Sequence, residues 1–189
     1  PVRAKLDKTE EFPWGIIKYL ADAGLFGIFI PEEYGGIKAG VMELCLVVEE
    51  LSRVCSGVAL CYAATALGAT PIVLYGSDTQ KKKYLPDIAA GRKLAAFAIT
   101  EANAGSDAGG IETTAIKVPG GYKINGTKCF ITNGGEAETY VVIALTDKSK
   151  GPRGATAFII EKGTAGFSFG RKEDKMGIRA SATRELVFE

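Results

Sequence analysis

In the first half of the chain, apolar residues recur at helical spacing. In Pro13 to Ala23, PWGIIKYLADA, the residues Trp14, Ile17, Leu20 and Ala21 fall on one face, and Gly24 follows as a stop. LFGIFIPEEYGG is an apolar run broken by Pro31 and Gly35–Gly36, which predicts a packed connector. From Val41 to Val54 the positions Leu44, Val47, Val48, Leu51 and Val54 share a face, with Glu43, Glu49, Glu50 and Arg53 mostly off it. An uncharged helix follows, Val54 to Tyr75. SDTQKKKYLPDIAAG then opens with Ser77 and Gln80 three apart, a capping box, and Gly91 ends it. Lys81–Lys83 on that helix reads as a solvated face rather than a phosphate site.

Beyond Arg92–Lys93 the period drops to two. GIETTAIKV reads as a strand, and YKINGTKCFITNGG as two short strands joined at Asn125–Gly126. TYVVIAL, ATAFIIE and ELVFE are further strands, rich in β-branched and aromatic residues. Glycine and proline punctuate them at intervals of about ten residues, as in a small barrel or sandwich. The expected architecture is α+β and multidomain: an all-α helical domain over residues 1–93, then a small β-barrel domain over residues 94–189.

Composition narrows the function classes. The 189 residues carry a net charge of +1 and are 47% hydrophobic. That balance excludes a disordered chain and gives no basic stripe for nucleic acid. There is no histidine, so neither a Cys/His zinc site nor a histidine base is expected, and no metal is assigned. Cys45, Cys55, Cys61 and Cys129 form no CxxC pair and are expected to be reduced, buried thiols of an intracellular protein. No targeting segment is read at the start. Val54 to Tyr75 holds no charge and exceeds the roughly 20 residues a membrane span needs. It also carries Ser56, Gly57, Thr65, Gly68, Thr70 and Pro71 and leans on alanine, so a buried core helix is expected, with no membrane span.

The candidate chemistry lies in Ala96 to Gly110, AFAITEANAGSDAGG. Its glycines, Gly105, Gly109 and Gly110, miss the G-x-G-x-x-G spacing, and a strand rather than a helix follows, so it is no dinucleotide loop. It still offers backbone that can approach a ligand, with the hydroxyls of Thr100 and Ser106 at its rims. Downstream, Phe130, Thr132 and Asn133 precede a Gly134–Gly135 turn. An aromatic and a threonine two apart share a strand face. Phe130 against a flat ring with Thr132 at its edge is one reading; a barrel-core aromatic beside a surface threonine is the other.

AITEANAGSDAGG resembles, position for position, the signature of the acyl-CoA dehydrogenase family. INGTKCFITNGGEA is similar to the family's second flavin-contacting segment, and GRKEDKMGIRASATRELVFE to the closing β-segment of short-chain members. The resemblance covers essentially all of the chain. It implies FAD held by Phe97, Ile99, Thr100, Ser106, Phe130, Ile131 and Thr132. Phe130 would stack on the flavin where many relatives have tryptophan, and Thr132 would reach the N5 edge. It implies an acyl-CoA substrate contacted by Ser106, with Ser181, Thr183 and Arg184 toward the CoA part; Arg184 could instead pair with Glu185. Leu60, Ala63, Ala64 and Leu67, one helical face, would line the acyl chain.

The implied reaction is α,β-dehydrogenation of a short-chain acyl-CoA thioester, with an electron-transfer flavoprotein as partner and a homotetramer as the full-length assembly. The family's catalytic glutamate lies in a C-terminal helical domain that these residues do not include, so none of them is assigned as the base and the segment alone is expected to be inactive. Without that domain, the helical half and the barrel are each expected to leave a face exposed. Glu101 and Asp107 are expected to organise the loop through backbone N–H groups. Alternatives are an enoyl-CoA reductase of the same family, an oxidase, or a non-catalytic binder on the same fold. The expected compartment is a bacterial cytoplasm, or the mitochondrial matrix in a eukaryote.

Overall fold

A computed structural model describes residues 2–189. The helical half comprises α1 (Val2–Thr9), α2 (Trp14–Asp22), α3 (Val41–Tyr75) and α4 (Asp78–Ala89), with short 3-10 turns at Leu25–Gly27 and Glu32–Tyr34. Helix α1 formed no part of the sequence expectation. It is charged almost all round and buries only Leu6, too thin a stripe to read as periodic. The expected capping box is present on α4: the Ser77 side chain accepts from the Gln80 backbone N–H, and the Gln80 side chain accepts from the Ser77 N–H. Gly91 ends the α4 segment at φ +64°, and a Cβ there would lie 2.4 Å from Ala21 Cβ. On α4, Lys83 pairs with Glu161 of the facing sheet.

The two helices expected between Val41 and Tyr75 run into each other without a loop. They meet at a kink where Cys55 leaves helical geometry (φ −156°, ψ 102°). The kink breaks the helical phase, and Val54, expected on the buried face, is 68% exposed. The segment after the kink is the core of the molecule. By length and composition α3 as a whole could cross a membrane, but 61% of its most apolar window is buried by protein. Tyr62 is fully buried. Its hydroxyl donates to Leu25 O at 2.9 Å, and its ring takes Phe26 and Phe29 edge-on at 5.3 and 5.9 Å. Trp14, also expected to face inward, is 43% exposed because its Nε1 reaches out to Glu136 Oε2 at 3.1 Å.

The sheet comprises β1 (Ala95–Ala98), β2 (Thr114–Val118), β3 (Gly121–Thr132), β4 (Thr139–Leu145), β5 (Ala155–Glu161), β6 (Phe167–Lys172) and β7 (Thr183–Phe188). Its order is β1-β4-β2-β3-β7-β6, with β5 paired to the other side of β4. The sheet curls. Tyr140 on β4 meets Phe167 on β6, four strands further along the order, with ring centroids 4.9 Å apart. Tyr122 on β3 likewise meets Phe158 on β5 at 5.2 Å. One buried cluster runs through both halves, from Ile17, Phe26 and Tyr62 to Leu94, Tyr140 and Leu186.

The hairpin expected at Asn125–Gly126 is elsewhere. Strand β3 runs straight through those residues, and the turn is Pro119–Gly120, between Val118 and its partner Gly121. Gly126 is needed for another reason. It has φ +148°, and a Cβ would lie 2.8 Å from the Thr113 Cα, so the glycine serves a close backbone crossing.

Cys45, and in part the half-buried Cys55, depart from the expected burial of all four thiols. Cys45 is exposed on the first half of α3, beside the exposed Val41, Met42 and Leu46, whereas Cys61 and Cys129 are buried. Burial pushes the Cys61 thiol up to about 12. A thiolate is the species that alkylates. We therefore expect iodoacetamide to modify Cys45 in the folded chain within minutes and Cys61 only after denaturation. Peptide mass mapping checks this, and native-state labelling of Cys61 at the rate of Cys45 would contradict the packing described.

Candidate functional site

An open groove of about 580 Å³ lies between the second segment of α3 and the sheet. Leu60, Ala63, Ala64 and Leu67 line its helical wall; Phe97, Ile99, Thr100, Phe130, Ile131 and Thr132 line the other. The helical wall follows from spacing: i, i+3, i+4 and i+7 put four apolar side chains on one stripe. The groove is set by how closely α3 approaches β1. Gly68 packs so near that a Cβ would fall 2.6 Å from Ala96 N, and Ala95, Ala96 and Ala98 are small and wholly buried.

A bulge shapes the strand wall. The β3–β7 register shifts between Lys128 and Ile131, and Phe130 sits at φ +57°, in the left-handed region. Phe130 is consequently 61% exposed at the groove, not a barrel-core aromatic. Asn133, at φ +62°, staples the floor. Its Nδ2 donates to Cys61 O at 2.9 Å, Thr65 Oγ1 at 3.2 Å and Ala95 O at 3.3 Å, joining α3 to β1.

The signature loop is held from behind. Glu101, 8% exposed, accepts from Glu112 N at 2.6 Å, Thr113 N at 3.0 Å and Lys128 Nζ at 2.7 Å. Burial pushes the Glu101 carboxyl up, but the Lys128 ammonium and these N–H donors outweigh it and hold the group below its ordinary value. Burial pushes the Lys128 ammonium down. Glu101 thus organises the loop as expected. Asp107 contributes its backbone carbonyl, which accepts from Gly110 N at 3.0 Å, and among the described residues its carboxylate has no hydrogen bond.

The groove gathers every sequence-predicted site residue except four. Ser106 is exposed on the loop, outside the lining. Ser181 is buried, with its Oγ donating to Ile178 O at 3.2 Å and its carbonyl accepting from Lys175 Nζ. Thr183 is buried in the ladder opposite Thr132. Arg184 lies over Gly134–Gly135, makes no ion pair with Glu185 among the described residues, and has a buried Nε without a partner. Sequence reasoning missed Lys128. Its signal is a lone lysine immediately before the run CFIT on the same strand, where burial of the ammonium calls for an acid partner.

The chain matches the models for the acyl-CoA dehydrogenase N-terminal domain over residues 1–92 and the acyl-CoA dehydrogenase middle domain over residues 96–189. It is 48% identical over 190 aligned residues to a short-chain-specific acyl-CoA dehydrogenase of Clostridium acetobutylicum, covering all of this chain and 50% of that one. Butyryl-CoA dehydrogenase from Megasphaera elsdenii superposes with a TM-score of 0.93 at 47% identity, over 98% of this chain and 50% of that one. An acyl-CoA dehydrogenase from Bacillus anthracis, solved in complex with FAD, gives 0.83 at 44% identity, over 92% and 29%. The chain spans about half the length of the curated relatives it matches. With both domain models matched in order along a helical unit and a curled sheet, the chain belongs to the acyl-CoA dehydrogenase family.

Proposed function

We propose that this chain supplies one wall of the flavin and acyl-thioester site of an FAD-dependent acyl-CoA dehydrogenase acting on short acyl chains. The observation that carries it is the groove itself, where an apolar helical stripe faces an exposed aromatic flanked by hydroxyls. The residues fit a flavin. Among the described residues the Thr100 and Thr132 side chains make no hydrogen bond, so both hydroxyls are free for a ligand edge. Phe130 presents its ring at the groove mouth rather than in the core.

In this reading the Phe130 ring is a platform for the flat cofactor, and Thr100 and Thr132 orient its polar edge. The flavin, when bound, supplies the two-electron acceptor for the thioester's Cα–Cβ bond. Leu60, Ala63, Ala64 and Leu67 hold the acyl chain and keep water from it, which strengthens every polar contact inside. Ser106 and Arg184 are assigned to the thioester and CoA side, with the buried Ser181 and Thr183 supporting the strand that carries Arg184. The units are taken as residues 1–93 and 94–189. An electron-transfer flavoprotein as acceptor, a homotetramer, and a bacterial cytoplasm or mitochondrial matrix complete the proposal.

The test is an anaerobic titration of the FAD-loaded enzyme that carries this chain, using butyryl-CoA and following the oxidised flavin band. Bleaching is the expected result. A flavin that stays oxidised with butyryl-CoA and longer esters, yet is reoxidised by an enoyl-CoA once reduced, would shift the assignment to the reductase direction. An enzyme that binds no flavin would overturn the reading altogether.

A further inference from the structure

Lys128 is completely buried in a strand, one residue from the bulge that turns Phe130 outward. Its ammonium has two partners, Ile99 O at 2.9 Å and Glu101 Oε1 at 2.7 Å. Cys129 N donates to Thr100 O at 2.8 Å alongside. Through Glu101 the link continues to the backbone N–H groups of Glu112 and Thr113, at the far end of the loop. One ion pair therefore joins three segments: the end of β1, the return of the signature loop, and the β3 bulge. Burying two opposite charges is a poor route to stability, because a neutral pair of similar shape holds a fold about as well. Such a pair would not fix a carbonyl and two amides from three segments at once. The points it fixes lie directly behind Ile99, Thr100 and Phe130, which line the groove.

We propose that Lys128 and Glu101 are a positioning pair for the flavin-facing wall, holding Ile99–Thr100 and the Phe130 bulge in register so that the Thr100 hydroxyl and the Phe130 ring meet one ligand. The proposal rests on the flavin reading of the groove. Neither residue lines the groove, so the pair would act on a bound flavin through the residues that do.

The test compares the enzyme carrying wild-type chain with Lys128→Met/Glu101→Gln and with Glu101→Gln alone. The double variant removes both charges and keeps an acceptor for the loop amides. It is expected to fold, to weaken flavin binding by roughly tenfold or more, to shift the bound-flavin absorption and fluorescence, and to exchange the amides of Glu112 and Thr113 faster. Glu101→Gln alone leaves the fully buried ammonium without its counter-charge and turns an amide NH2 toward a loop N–H, so it is expected to weaken flavin binding at least as far as the double variant does. A double variant with flavin affinity, spectrum and amide exchange all within twofold of wild type would overturn the proposal, as would faster exchange with no change in the flavin. Should the double variant fail to fold, wild type decides. Coupling is reciprocal, so flavin must raise protection of the Glu112 and Thr113 amides above that of α4, and equal protection would overturn the proposal. A wild type that binds no flavin would sink the functional reading instead, leaving the exchange rates to report on the clamp.

Discussion

Gly68→Val is expected to lower stability by about 3 kcal/mol or more, because the new side chain must enter backbone rather than a yielding neighbour. A Cβ at residue 68 would lie 2.6 Å from Ala96 N, 2.8 Å from Ala95 C and 2.9 Å from Ala95 Cβ. Real Cβ atoms do not come that close, so α3 must move off β1, and both are close-packed there. For a domain of this size the loss corresponds to a fall in melting temperature of roughly 6–12 °C. The groove would widen with it, since Ala64 and Leu67 on α3 and Phe97 on β1 line opposite walls. Gly15→Ala is the matched control: nothing lies within 4 Å of its Cβ position, and no loss is expected. A Gly68→Val chain that melts with wild type would mean that helix and strand are not packed this tightly in solution. Calorimetry on the two variants reads both arms.

The groove was legible because its parts are local. Spacing alone puts Leu60, Ala63, Ala64 and Leu67 on one helical stripe, and the strand wall comes from two short motifs quoted whole from the sequence. The capping box at Ser77 and the switch of period near Arg92 are local too. What the sequence hid depends on distant partners. Asn125–Gly126 has the composition of a tight turn, yet Gly126 is glycine because Thr113 crosses against it. Val54 continues a helical repeat whose phase breaks one residue later. Phe130 and Thr132 share the groove as alternation predicts, but the exposure of Phe130 comes from a bulge, which depends on how β3 meets β7. Lys128 and Glu101 are 27 positions apart, so neither residue's neighbours announce the pair. Ser181 and Thr183 are small polar residues that the ladder and a local turn bury, which their composition does not reveal.

Lys128→Met alone should be among the most damaging single changes in the chain, and its pH dependence should identify the cause. Removing one partner of a buried ion pair leaves an uncompensated charge and costs about 3–5 kcal/mol. Here the stranded group is Glu101, 8% exposed, with only the N–H groups of Glu112 and Thr113 left to it. The pH sign separates this from lost packing. In wild type the Glu101 carboxyl is held below its ordinary value of 4.5. Its contribution is therefore complete above that value and is lost as the pH falls through the folded-state value. In Lys128→Met the largest lowering influence is gone and burial dominates, so the folded-state value rises above the unfolded one. The folded variant then binds a proton more readily than the unfolded chain, and its stability recovers as the pH falls toward 4.5, while wild type gains nothing over the same range. Urea unfolding of both proteins from pH 7 to pH 4.5 tests this. The gap between them should be widest at neutral pH and narrow on acidification. A gap that does not change with pH would mean that Lys128 contributes its hydrocarbon stem rather than its charge.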